Sequence, residues 1–253
     1  YFNKKYIEIV KWGFTSNEDT NYTYILTDDN LICLAQTIAF ITNKEYHEIM
    51  AYINELESNS ELKAHLIQVT SQSQEKKFAD KEARFGRRVG WYAIARAIKP
   101  KIIIETGVDK GLGSILLCAA LEMNNREGYP GHYYGTDINP KAGYLLTGRY
   151  KEFGEIVYGD SIASLTNFNE PIDLFINDSD HSINYEYNEY KTIQHLLTDK
   201  TIILGDNSHF SDSLSRFSLE SNRQYVYFQE KPFNHWYPGC GIGISFHRNA
   251  QLY

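Results

Sequence analysis

The hydrophobic rhythm of the chain changes near residue 100. Before that point apolar residues recur at helical spacing. "DDNLICLAQTIAFI" places Leu31, Leu34, Ala35, Ile38 and Ile41 on one face behind capping-type Asp residues, which predicts a helix. "TNKEYHEIMAYINELE" repeats the pattern through Tyr46, Ile49, Met50, Ile53 and Leu56, with Thr42 or Asn43 as cap. A third helix is predicted over about 78–98, stopping before Pro100. The polar stretch "VTSQSQEKK" (69–77) reads as a linker. The expected division is therefore a helical region over 1–77 and a second domain over 78–253.

From Lys101 the pattern becomes short apolar runs: "KIIIETG", "HYYGTDI", "EIVYGDS", "IDLFIND", "TIILGDN" and "GCGIGISFH". Segments long enough for helices, such as "SILLCAALEMNN" and "YEYNEYKTIQHLL", lie between them. Buried strands alternating with helices predict an α/β fold with a Rossmann-like, doubly wound, mostly parallel sheet. Ligands bind such sheets at the carboxyl ends of the strands. Glu105, Asp137, Asp160, Asp178 and Asp206 all fall at those ends.

Composition narrows the function. At 253 residues and 42% hydrophobic, the chain can form one sizeable core with a small accessory region. A net charge of -7, from 25 basic and 32 acidic residues, argues against nucleic acid as the main partner. Cys33, Cys118 and Cys240 have neither zinc spacing nor a disulfide framework, so a reducing cytoplasm is the expected location. No apolar run approaches a membrane span, and "YFNKKYIEIV" has no signal-peptide core; no membrane partner is expected.

Three motifs follow one another along the predicted sheet. In "ETGVDKGLGS", Gly107, Gly111 and Gly113 sit where strand becomes helix, so backbone can approach a ligand closely. The acidic Glu105 would repel a pyrophosphate but suits a cationic ligand. Asp137 in "YYGTDINP" ends the next strand, where an acid typically holds ribose hydroxyls. Asp160 in "YGDSIASL" ends the one after, placed to accept from an adenine amino group. Taken singly, Asp137 and Asp160 also suit helix caps.

Together these motifs resemble the S-adenosylmethionine site of class I methyltransferases, over roughly residues 86–248. The pattern is most similar to the metal-dependent small-molecule O-methyltransferases, of the catechol and caffeoyl-CoA type and the bacterial sugar O-methyltransferases. The resemblance implies that S-adenosylmethionine is bound by Glu105, Thr106, Gly107, Gly111, Ser114, Asp137, Asp160 and Ser161, with Asp178 bordering it. It also implies an antiparallel C-terminal strand. By the same resemblance "NDSDH" and "LGDNSH" supply a Mg²⁺ or other divalent cation with Asp178, Asp206 and Asn207 as ligands. Three hard oxygen donors suit Mg²⁺, and no nearby Cys favours zinc. The implied cation lowers the pKa of a substrate hydroxyl.

His181 stands where the catechol-type enzymes carry a lysine base. Histidine accepts a proton at neutral pH without a large shift, so His181 and Asp178 are the expected catalytic residues. The change from lysine points away from a catechol and towards a sugar or glycosylated molecule as the hydroxylated acceptor. Asp180 is open between cap, orienting partner and substrate contact. Arg84, Arg87 and Arg88 read as a solvated helix face rather than an anion site. The helical first third is expected to form a lid over the substrate side or a homodimer surface.

Three other readings compete: N-methylation, an NAD-linked oxidoreductase, and a non-catalytic S-adenosylmethionine-binding protein. The oxidoreductase predicts G-x-G-x-x-G, which is absent; Tyr187 and Lys191 have its Tyr-x-x-x-Lys spacing but follow the wrong strand. A non-catalytic protein predicts a broken metal triad, whereas all three residues are present.

Overall fold

A computed structural model describes residues 4–15, 24–74, 82–180, 182–206, 208–235, 237 and 239–247. Helices α1 (Lys4–Thr15), α2 (Asp28–Thr42), α3 (Tyr46–Glu57) and α4 (Ser60–Gln72) come first. Both predicted helices of this region form. The third starts later than expected: α5 runs Arg88–Ile98, and 82–87 is not helical. The supposed linker is also corrected, because 69–72 is the last turn of α4, whose first turn is capped by Asn59 accepting from Leu62 N at 2.9 Å.

The sheet follows in the order β1 (Ile102–Thr106), α6 (Leu112–Arg126), β2 (His132–Asp137), β3 (Gly154–Tyr158), α7 (Ser161–Thr166), β4 (Ile172–Asn177), α8 (Ile183–Ile193), β5 (Leu197–Gly205), α9 (Ser213–Glu220), β6 (Gln224–Gln229) and β7 (Gly241–Phe246). Its seven strands are arranged β3-β2-β1-β4-β5-β7-β6. The pairs among β1 to β5 are parallel, while β7 is antiparallel to both β5 and β6. The doubly wound sheet with an antiparallel C-terminal strand is as expected.

Both faces are covered along β1, β4, β7 and the second half of β5, whereas β3 and β6, at the two sheet edges, are largely exposed. Ile103, Leu174, Ile176, Ile202 and Leu204 face the core shared with α5, α6 and the α2–α4 helices, which contribute Leu34, Ile38, Ile53 and Leu62. Ile102, Ile104, Phe175 and Ile203 face the opposite layer, where they join Tyr190, Ile193, Leu214 and Phe217 of α8 and α9. Lying between α2–α4 and the sheet layer, α5 has every residue from Val89 to Ile98 buried. Strand order reverses between β1 and β4, which opens a crevice above their carboxyl ends.

Candidate active site

The crevice is a cleft of about 550 Å³, within the range of small-molecule sites. Its walls include Gly107, Asp137, Asp160, Ser161, Asp178 and Asp206, so six expected site residues meet in one place. Gly107 can only be glycine here. Its φ is +78°, and a Cβ would stand 2.1 Å from the Asp178 carbonyl oxygen. The Asp178 N–H in turn donates to the Thr106 carbonyl at 2.9 Å, fastening the ends of β1 and β4 together.

Asp137 fixes the glycine turn as well as facing the cleft. One carboxylate oxygen accepts from the N–H groups of Val108 and Asp109 at 3.1 and 3.0 Å; the other accepts from Asn139 at 2.8 Å. Asp160 caps α7 by accepting from Ala163 N at 2.8 Å and takes the Tyr185 hydroxyl at 2.9 Å. Asp160 is thus both cap and cleft wall, whereas Asp137 caps no helix, because a turn follows β2. Asp180, the open question of the sequence, also has a cap-type bond: it accepts from Ser182 N at 2.8 Å just before α8, while lining the cleft.

Two expected residues sit below the wall. Glu105 is 1% exposed and lies under the glycine turn, accepting from the Tyr133 and Ser114 hydroxyls. Burial raises its pKa from 4.5 to about 7, against the lowering effect of the Tyr133 hydrogen bond. Ser114 is fully buried beside it. Gly111 takes a φ of +91° at the start of α6, backing the turn. His181 and Asn207 lie outside the described residues.

Sequence reading missed Glu189, a fully buried carboxylate on α8. It accepts from Ser161 Oγ, from Asn177 Nδ2 and from Ser179 Oγ at 2.6 Å. The available signal was its helical register with Glu186, Tyr190 and Ile193, which marks the inward face of α8.

The arginines require a correction. Arg84 does sit at the surface, paired with Glu82 at 2.7 Å. Arg87 and Arg88, read as a solvated face, instead line the cleft. Arg87 forks onto both oxygens of Asp206 and also reaches Glu230 at 3.3 Å and the Tyr24 hydroxyl at 3.1 Å. Arg88 donates to Asp178 at 3.3 Å and lies 5.0 Å from the Trp91 ring. The reason is α5: it is sandwiched rather than surface-lying, so its first turn points into the site. Burial alone would raise both carboxyls. For Asp206 the Arg87 guanidinium overrides burial and holds the pKa at about 2. For Asp178, burial and the neighbouring Asp206 charge win and push it well up.

This donor set does not fit a divalent cation. Both oxygens of Asp206 are engaged by a buried guanidinium, and Asp178 faces a second one. The Asp206 charge is thereby matched before any metal is considered, and the raised pKa of Asp178 disfavours the charged form a metal needs. Among the described residues no group of three His, Cys, Asp or Glu side chains is placed to hold a metal.

Comparisons with known proteins agree with the architecture. Residues 104–208 match a protein-family model described as "Methyltransferase domain". An S-adenosylhomocysteine-bound methyltransferase, PaMTH1 of Podospora anserina, is 15% identical with a TM-score of 0.52, over 75% of this chain and 88% of that one. The O-methyltransferase TomG of Streptomyces achromogenes, solved with S-adenosylmethionine, is 15% identical with a TM-score of 0.55, over 72% and 89%. A putative caffeoyl-CoA O-methyltransferase of Staphylococcus aureus is 14% identical with a TM-score of 0.53, over 79% and 100%. No curated protein sequence matches the chain. Residues 104–208 thus match a methyltransferase-domain model, and the chain has the fold of these solved methyltransferases. Among the described residues no helix is long and apolar enough to cross a membrane.

Proposed function

We propose that the protein is an S-adenosylmethionine-dependent O-methyltransferase acting on a hydroxyl of a small molecule. The observation that carries this reading is the cleft itself: Gly107, Asp137 and Asp160 line one cavity at the sheet's reversal point, in a methyltransferase domain. Its fit to the cofactor rests on the side-chain-free approach at Gly107 and on the carboxylate of Asp137 facing the cavity. Asp137 would hold the ribose, and Asp160 with Ser161 the adenine. Glu105 acts from beneath, setting the charge under the glycine turn. Bound S-adenosylmethionine supplies an electrophilic methyl group on a sulfonium cation. The acidic walls favour that positive charge over a pyrophosphate, which is why the NAD-linked reading is not retained.

The chain's own contribution is to position the acceptor oxygen and to receive its proton. In this reading His181 is the proton acceptor, and Asp178 sits three positions before it at the end of β4. The acceptor class favoured is a sugar or glycosylated metabolite, on the strength of histidine standing where catechol-type enzymes have lysine. The Mg²⁺ implied by that likeness has no part here, because of the arginine-paired carboxylates. Incubation with methyl-labelled S-adenosylmethionine and a panel of sugars, paired with their amino analogues, tests the reading. Label in an O-methyl ether is expected; label confined to methylamines would replace O- with N-methylation.

A further inference from the structure

Resting on the methyltransferase reading, we infer that the positive charge at the ends of β4 and β5 comes from Arg87 and Arg88, and that the cleft works without a divalent cation. Arg87 is held from three sides by groups that are themselves buried: Asp206 at 1% exposure, Glu230 at 0% and Tyr24 at 4%. Glu230 also accepts from the Tyr24 hydroxyl and from Cys240 N, each at 2.6 Å. Arg87 therefore ties the first segment after α1, the end of β5 and the turn before β7 into one buried network.

A cation on Asp206 must either sit beside this guanidinium or expel it. The first places like charges within a few ångströms of each other in a site of low effective dielectric. The second leaves Glu230 as an uncompensated buried carboxylate, a change that is strongly destabilising. Neither route favours metal. Arg88 completes the exchange. Its side chain keeps 17% exposure on the cleft wall, and its Nε is buried with no hydrogen-bond partner. Its charge thus stands beside Asp178, at the strand end where the acceptor hydroxyl is expected to lose its proton. A fixed guanidinium there stabilises a developing alkoxide as a preorganised donor, without the charge of an exchangeable ion.

The experiment is a Mn²⁺ titration of the full chain saturated with S-adenosylhomocysteine, followed by the electron paramagnetic resonance signal of free Mn²⁺. Wild type is expected to leave Mn²⁺ free up to millimolar concentration, and to bind S-adenosylhomocysteine equally with and without EDTA. Arg88→Ala, which frees Asp178, is expected to gain Mn²⁺ affinity by roughly tenfold or more. Stoichiometric Mn²⁺ binding by wild type, lost in Asp206→Asn, would overturn the inference. A folded Arg88→Ala protein, judged by its thermal transition, that is as silent as wild type would overturn the part given to Arg88 and leave the exclusion of metal to Arg87 alone. If that variant does not fold, the wild-type titration decides alone. Failure of wild type to bind S-adenosylhomocysteine at all is a separate result, and it sinks the methyltransferase reading rather than this one.

Discussion

Glu189 gathers Ser161, Asn177 and Ser179, side chains from the segments that close β3 and β4, onto one buried carboxylate. Glutamine at 189 would turn an amide NH₂ towards at least one of these donors, leaving a buried bond unmade. Glu189→Gln should therefore weaken S-adenosylhomocysteine binding by roughly tenfold by calorimetry, with Ser161 and Ser179 displaced from the cleft wall. Unchanged affinity would reduce Glu189 to ordinary packing. Glu105 makes a different prediction, about pH. Its folded-state pKa of about 7 lies above its ordinary 4.5, so the folded protein holds this proton more tightly than the unfolded chain. The stabilisation is fully present below about pH 4.5 and is lost as pH rises through about 7. Glu105→Gln should remove that dependence, so the variant gains on wild type between pH 5 and 8 by on the order of 3 kcal/mol in denaturant unfolding. Parallel pH profiles for the two proteins would contradict it. At this scale the strand-end acids were legible because position and residue type coincide in the sequence. The Tyr133–Glu105 and Glu189–Ser161 bonds were not, since each joins residues 28 apart whose meeting depends on packed layers.

The turn from β1 to α6 holds the site at the level of elements. It needs a positive φ at Gly107 and backbone contact with the residue after β4. Gly107→Ala should lower stability by on the order of 3 kcal/mol or more and abolish cofactor binding, read from thermal unfolding with and without S-adenosylhomocysteine. A stable variant that still binds would show the close approach to be dispensable. β1, β4 and the second half of β5 were readable because apolar residues on both faces leave little polar alternation to confuse the pattern. β6 was not named from sequence. It lies at the sheet edge, and four of its six residues, Gln224, Tyr225, Tyr227 and Gln229, are polar or amphipathic, so little marks it as a strand. α4 was hidden for a related reason: only Leu62 and Leu66 are buried, and Ser60, Thr70 and Ser71 resemble linker chemistry. The start of α5 was misjudged because charge at helical spacing on its own does not say which neighbours cover the helix.

For the molecule as a whole, the helical first third is structural as well as peripheral. Leu34, Ile38, Ile53 and Leu62 belong to the same apolar cluster as Trp91, Leu116 and Ile244, and Tyr24 joins the Arg87 network. Ile38→Ala should cost about 2–5 kcal/mol in denaturant unfolding, and removing residues 1–74 should abolish cooperative folding rather than only acceptor binding. A truncated protein that folds and binds cofactor would assign this region to a dispensable lid or to dimerisation. The cleft's described walls begin at Arg87, and α2 and α3 pack against α5. The central claim, that this cleft receives S-adenosylmethionine, is tested most directly by calorimetric titration of the whole chain with S-adenosylhomocysteine, using NAD⁺ as the rival ligand. The account predicts saturable one-site binding of S-adenosylhomocysteine, weakened roughly tenfold or more in Asp137→Asn, and none of NAD⁺. Binding of NAD⁺ with no response to S-adenosylhomocysteine would contradict it.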